Sequence, residues 1–234
     1  MTDALTVDDL VVAYGAVVAL NGISLRVAPG EAVSVVGPNG SGKTTLLRTM
    51  SGLVRPRSGR IELDGVSLVG RPAYRIARLG LSHVPENRGT IASMSVEENL
   101  FLGAPASMSR SRVNELMGEL FDSFPVLARL RKRGAGLLSG GEQQMLVTAR
   151  GLMAEPKLLA IDEPSMGLAP IVVGTLVEML HTVVSKGVSV LIVEQNVALA
   201  AEVATRSYVL VRGRIQAEGA AADMPADMIA TFLQ

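Results

Sequence analysis

Short apolar runs, punctuated by glycine and proline, divide this chain into strands and helices. Residues 5–35 read as short strands and turns. Val11-Val12-Ala13-Tyr14-Gly15 is strand-like, Ile23-Ser24-Leu25-Arg26-Val27 alternates, and Ala28-Pro29-Gly30-Glu31 is a turn. Ala32-Val33-Ser34-Val35-Val36 is apolar and β-branched, which predicts a buried strand. Thr45-Leu46-Leu47-Arg48-Thr49-Met50 reads as a helix. Arg57 to Gly65 reads as turn, strand and turn, and Gly80 to Pro85 as a strand stopped by its proline. Ser95 and Glu98 have capping-box spacing, so a helix is expected to start there. Residues 110–133 read as helical and carry Arg110, Arg112, Arg129, Arg131 and Arg133, a solvated face or a docking surface. Lys157 to Ile161 is another apolar strand, and 171–185 another helix.

Composition narrows this picture a little. The 234 residues allow one large domain, or one domain with a sizeable insert. Hydrophobic residues make up 48%, enough for a full core. The formal net charge is zero, so nothing pulls the chain toward nucleic acid. With no cysteine, disulfides and thiolate metal sites are excluded. Met1-Thr2-Asp3-Ala4-Leu5 is not basic and no long apolar run follows, so no signal peptide is expected. No stretch reaches the roughly 18 apolar residues of a membrane span. The mean hydropathy of +0.36 comes from Ala, Val and Leu. That suits a sheet buried on both faces, and also a surface that docks on a membrane protein.

Candidate chemistry begins at Gly37-Pro38-Asn39-Gly40-Ser41-Gly42-Lys43-Thr44-Thr45. This fits G-x-x-x-x-G-K-[ST] between a strand and a helix, the context a nucleotide phosphate loop requires. Glycines let backbone N–H groups converge on an anion, and the following helix adds partial positive charge. Lys43 is placed to reach the β- and γ-phosphates and Thr44 to ligate Mg²⁺. A guanine-reading Asn-Lys-x-Asp is absent, which argues against a GTP switch.

Two further motifs join this loop. The strand Lys157–Ile161 ends in Asp162-Glu163. Asp162 can hold the Mg²⁺ shell, and Glu163 stands where it could orient and deprotonate water. Leu138-Ser139-Gly140-Gly141-Glu142 opens a helix to about Ala154, with Ser139 and Glu142 again at capping-box spacing. Capping alone does not call for adjacent glycines, and a Ser-Gly-Gly helix start is also an anion site. One phosphate loop plus a separate phosphate-grade helix start points to a dimer with shared nucleotide sites. Tyr14 is either an ordinary strand aromatic or a stacking face for adenine. His83 and His181 read as structural or solvated.

With these residues in order, the chain resembles the ATP-binding-cassette (ABC) ATPases over nearly its whole length. The carrying motifs are 37–45, Leu-Ser-Gly-Gly-Glu at 138–142, Asp162-Glu163, and Ser165-Met166-Gly167-Leu168-Ala169-Pro170. Val84-Pro85-Glu86, Ser95 to Leu100, Ser139 to Leu146, Gly167 to Pro170 and Val193-Glu194-Gln195-Asn196 resemble, more narrowly, an ATPase subunit of bacterial branched-chain amino-acid importers. The resemblance implies a single cassette over 1–234. Its fold would be an α/β P-loop NTPase of ABC type, with a mixed core sheet, an antiparallel β subdomain and a helical insert at about 86–137.

It implies hydrolysis of MgATP, with Glu163, Lys43, Gln195 and Glu86 at the reacting end. Tyr14 would stack on adenine. Thr44, Asp162 and Glu86 would surround Mg²⁺, and Ser139, Gly140 and Gly141 would contact nucleotide held by a partner. That partner would be a sister ATPase or a second copy, and both would drive transmembrane permease subunits from the cytoplasmic face of the membrane. The rival within the family is a soluble single-cassette scaffold ATPase. Glu86 and Gln195 stand where most ABC ATPases have glutamine and histidine. Both recur in the importer subunits. Glu86-Asn87-Arg88 departs from the Glu-Gly-Arg usual there.

Overall fold

The computed structural model describes residues 3–223. The first two residues of the N-terminal stretch and residues 224–234 of the expected 1–234 span lie outside it. The chain begins with a hairpin of β1 (Leu5–Tyr14) and β2 (Val17–Val27), then β3 (Ala32–Val36) and α1 (Lys43–Met50). A second hairpin, β4 (Ser58–Leu63) and β5 (Val66–Ser67), precedes α2 (Ala73–Arg78) and β6 (Leu81–Val84). Helices α3 (Val96–Phe101), α4 (Arg110–Ser123), α5 (Pro125–Arg129) and α6 (Gly140–Leu152) follow. The chain then returns through β7 (Leu158–Asp162), α7 (Pro170–Ser185), β8 (Ser189–Glu194), α8 (Val197–Val203), β9 (Arg206–Val211) and β10 (Arg214–Ala220).

The strands form two sheets. The first is antiparallel, in the order β2-β1-β4-β5. The second runs β10-β9-β3-β8-β7-β6 and is parallel except at β9–β10, so it is mixed, as expected. The central strands β3, β7 and β8 are buried at every residue. In β8, Leu191 and Val193 join the core shared with α1 and the antiparallel sheet, while Val190 and Ile192 join the core under α6 and α7. Burial on both faces turns an alternating strand into the continuous apolar run seen in the sequence.

Two local readings change. Residues 110–133 are not one helix: α4 ends at Ser123, Phe124 is non-helical (φ −128°, ψ 76°), and Pro125 starts α5. Proline lacks the N–H that would continue α4 and pushes its predecessor toward extended geometry. The first strand starts at Leu5 rather than Val11. Its register with β2 shifts between Val7 and Leu10, where Asp9 adopts φ 46°. That bulge breaks the alternation a strand reading depends on. Both capping boxes are present, with Ser95 Oγ accepting Glu98 N–H at 3.2 Å and Ser139 Oγ accepting Glu142 N–H at 3.3 Å. Between β6 and α6 the chain runs through α3, α4 and α5, the stretch expected as the helical insert.

Candidate active site

Three neighbouring parallel strands end level with one another. Val36 pairs with Glu194, and Asp162 pairs with Val193. Loops 37–42, 163–169 and 195–196 therefore leave the same edge of the sheet, where α/β proteins collect their ligand sites. They line a cleft of about 670 Å³. Asn39, Gly40, Gly42, Lys43, Thr44, Thr45, Glu86, Glu163 and Gln195 all face it. So do Ala19, Ser165, Met166, Glu194 and Asn196, to which the sequence reading assigned no role.

The phosphate loop folds tightly onto β9. A Cβ on Gly37 would lie 2.1 Å from Leu210 O and 2.9 Å from Ser41 Oγ. Ser41 is buried, and its hydroxyl has no protein partner among the described residues. Lys43 is 5% exposed and curls back over the loop. Its Nζ donates to Gly37 O at 2.7 Å and Pro38 O at 3.0 Å, and pairs with Glu163 Oε1 at 3.0 Å. The other Glu163 oxygen accepts the Gln195 N–H at 3.1 Å. Glu163 has φ 46°, a strained value for a side chain of its size, and its N–H is held by Val193 O at 2.9 Å. The strand edge thus fixes the one residue whose carboxylate spans Lys43 and the Gln195 backbone.

Thr44 Oγ1 donates to Asp162 Oδ1 at 3.2 Å. Burial pushes Asp162 up to about 6. The Thr44 hydrogen bond opposes this, and the Glu86 and Glu163 charges add to it. The consequence for stability has a definite sign. Below the ordinary value of 3.8, the carboxyl is neutral folded or unfolded. As pH rises through about 6, the folded chain must carry a buried charge, and stability is lost. Asp162→Asn keeps the acceptor for Thr44 and removes the charge. Without nucleotide it is expected to melt above wild type at pH 7.5, with the gap closing near pH 4. Equal melting temperatures at both pH values would refute this.

Other sequence-expected residues sit apart from the cleft lining. Tyr14 is half-exposed at the end of β1. Ser139, Gly140 and Gly141 start α6 outside it. Gly141 has a packing reason of its own, since a Cβ there would lie 2.0 Å from Val172 Cγ1 of α7. His83 Nδ1 lies 2.9 Å from Ser51 Oγ, and burial together with the Arg48 charge pushes its pKa down to about 4. His181 Nε2 lies 2.8 Å from Glu202 O. Neither touches the cleft. Glu194, which the sequence reading quoted within Val193-Glu194-Gln195-Asn196 without giving it a role, carries the same signal as Asp162: an apolar strand ending in a carboxylate.

Residues 20–166 match the family model for the ABC transporter. The chain belongs to that family. It is 42% identical over 211 residues to the "High-affinity branched-chain amino acid transport ATP-binding protein BraG" of Pseudomonas aeruginosa, covering 90% of each. It is 36% identical to the "Probable branched-chain amino acid transport ATP-binding protein LivF" of Archaeoglobus fulgidus, over 82% of this chain and 81% of that one. Its fold matches the ADP conformation of MJ1267, an ATP-binding cassette of an ABC transporter, with TM-score 0.88 and 25% identity over 99% of both chains. As an ABC cassette, the chain binds ATP and hydrolyses it. No described helix is long and apolar enough to cross a membrane.

Proposed function

We propose that this cassette is the ATPase subunit of an importer for branched-chain or related amino acids. The observation that carries the cargo class is the similarity to BraG along nine-tenths of both chains. The site supports the following division of work. Lys43 binds the β- and γ-phosphates, Glu163 takes the proton of the attacking water, and the Gln195 amide donates to the γ-phosphate. Tyr14 stacks on adenine. Ser139, Gly140 and Gly141 cap the nucleotide of a second cassette, either a sister ATPase or another copy.

Lys43 and Glu163 are bound to each other at 3.0 Å, so the base and the phosphate compete for one ammonium. An arriving γ-phosphate draws Lys43 away and frees the Glu163 oxygen it held. The base is thereby released only when there is something to attack.

The oxygen donors of Thr44, Asp162 and exposed Glu86 suit Mg²⁺, which prefers few carboxylates with phosphate and water completing its shell. The buried Asp162, costly as a free anion, has the character of a cation ligand. When bound, Mg²⁺ would neutralise charge developing on the phosphate oxygens.

The permease reading is supported by a second groove of about 430 Å³ between the core and the helical insert. Ile91, Leu102 and Val147 line it, and exposed Phe101, the last residue of α3, immediately precedes Leu102. It opens beside loop 85–91, which also carries Glu86. A membrane subunit seated there would act on the cleft through that loop. The assembly would sit peripherally on the cytoplasmic face.

The test is to purify the chain with whatever it binds, reconstitute the complex in vesicles, and supply ATP and labelled leucine. Co-purified membrane subunits and ATP-driven uptake, lost in Lys43→Ala, are expected. Recovery of soluble partners alone would favour the scaffold reading.

A further inference from the structure

Glu194 closes β8 and is 1% exposed. No cation pairs with it among the described residues. Its charge is met by backbone N–H groups from two loops. Oε1 accepts from Ser165 N at 2.8 Å. Oε2 accepts from Gln195 N and Asn196 N, each at 3.0 Å. Ser165 lies on the loop leading from Glu163 to α7, while Gln195 and Asn196 begin the loop after β8. Burial raises the pKa of Glu194, and the Asn196 and Ser165 N–H groups pull it back.

The arrangement is specific to a carboxylate of this length. An ionised carboxyl only accepts, and both oxygens here face donors. A glutamine would turn an NH₂ toward one loop and lose it. An aspartate is one methylene shorter and cannot span both. The Gln195 N–H is moreover shared, reaching Glu163 at 3.1 Å as well as Glu194. If Glu163 turns toward water, it gives up that bond, and Glu194 is what remains to hold Gln195. Beyond Ser165 the first loop reaches exposed Met166 and then exposed Ile171 at the start of α7.

We propose that Glu194 is a positioning residue for ATP hydrolysis, pinning the 163–169 loop to Gln195 while Glu163 moves. The inference rests on the assignment of Glu163 as the base. Its test uses the full-length chain with MgATP, comparing wild type, Glu163→Gln, Glu194→Gln and Glu194→Asp.

For Glu194→Gln we expect kcat to fall at least tenfold with KM for ATP changed less than threefold. Amide exchange without nucleotide should quicken at Ser165 or at Gln195 and Asn196, the loop that faces the new NH₂. Glu194→Asp should lose the same catalytic step, so it serves if the glutamine variant does not fold. A purely structural defect would lower ATP binding and kcat together. Wild-type kcat in a folded Glu194 variant, a KM rise that matches the kcat loss, or unchanged exchange in both loops would overturn the proposal. If Glu163→Gln also hydrolyses ATP at the wild-type rate, the base assignment has failed. If Glu163→Gln is slow and Glu194→Gln is normal, only the positioning role has failed.

Discussion

Glu163→Gln is expected to lower kcat for ATP by about 10²- to 10⁴-fold, the range contributed by a positioned general base. The amide keeps the shape of the side chain, so β7 and the φ of 46° at residue 163 need not move. It removes the carboxylate proposed to take a proton from water, and the negative charge that holds Lys43 Nζ at 3.0 Å. The second loss acts in the opposite direction on binding: Lys43 is then free for phosphate, so KM should hold or fall. Steady-state ATPase together with equilibrium ATP binding checks both halves. A loss of less than tenfold in kcat would mean that another group takes the proton. A large rise in KM would mean that the carboxylate shapes the phosphate loop rather than the chemical step.

The other large effect is expected from one methyl group. Gly37→Ala places a Cβ 2.1 Å from Leu210 O, far inside contact distance. That carbonyl belongs to β9, where Leu210 is paired with Ile215 of β10 and directly follows Val209, the last residue paired with β3, so it cannot retreat without disturbing these ladders. The phosphate loop has to shift instead, and with it the Gly37 carbonyl that accepts from Lys43. Overpacking of this kind costs about 1–3 kcal/mol and sometimes more. In a chain of this size each kcal/mol is worth roughly 2–4 °C of Tm. Because the displaced atoms are the phosphate cradle, ATP binding should drop more than tenfold. Thermal melting and ATP titration test this. An alanine variant with wild-type Tm and wild-type ATP affinity would show that the close approach to Leu210 is relieved at no cost.

Much of the site was legible because its physics is local. A phosphate loop needs glycine, lysine and threonine at fixed offsets, and the strand and helix that flank it here lie where 32–36 and 45–50 were read. Asp162 and Glu163 announced themselves as charge at the end of an apolar strand. Other features needed the third dimension. Glu194 carries the same strand-end signal as Asp162, yet only the packing of loops 163–169 and 195–196 against it reveals three backbone donors. Gly141 could be read as part of an anion site, but its contact distance to Val172 depends on how α6 meets α7. The break at Phe124 was written in Pro125, and the arginine-rich run on either side concealed it. The bulge at Asp9 hid the first half of β1, because a shifted register scrambles the period that marks a strand.

The level ends of β3, β8 and β7 also limit how this molecule can be altered. Adding or deleting one residue within β7 would exchange the two faces of the strand and turn Asp162 away from Thr44. The hairpin tip at Asp64-Gly65 lies on the other sheet, outside that ladder, and is held there by Lys157 Nζ donating to Asp64 Oδ2 at 2.6 Å and by Asp64 N donating to Ala4 O at 2.9 Å. Tags, linkers or inserted domains belong after Asp64, at Gly65, where a Cβ would meet nothing within 4 Å and those two bonds can stay, whereas in the three central strands every residue is buried.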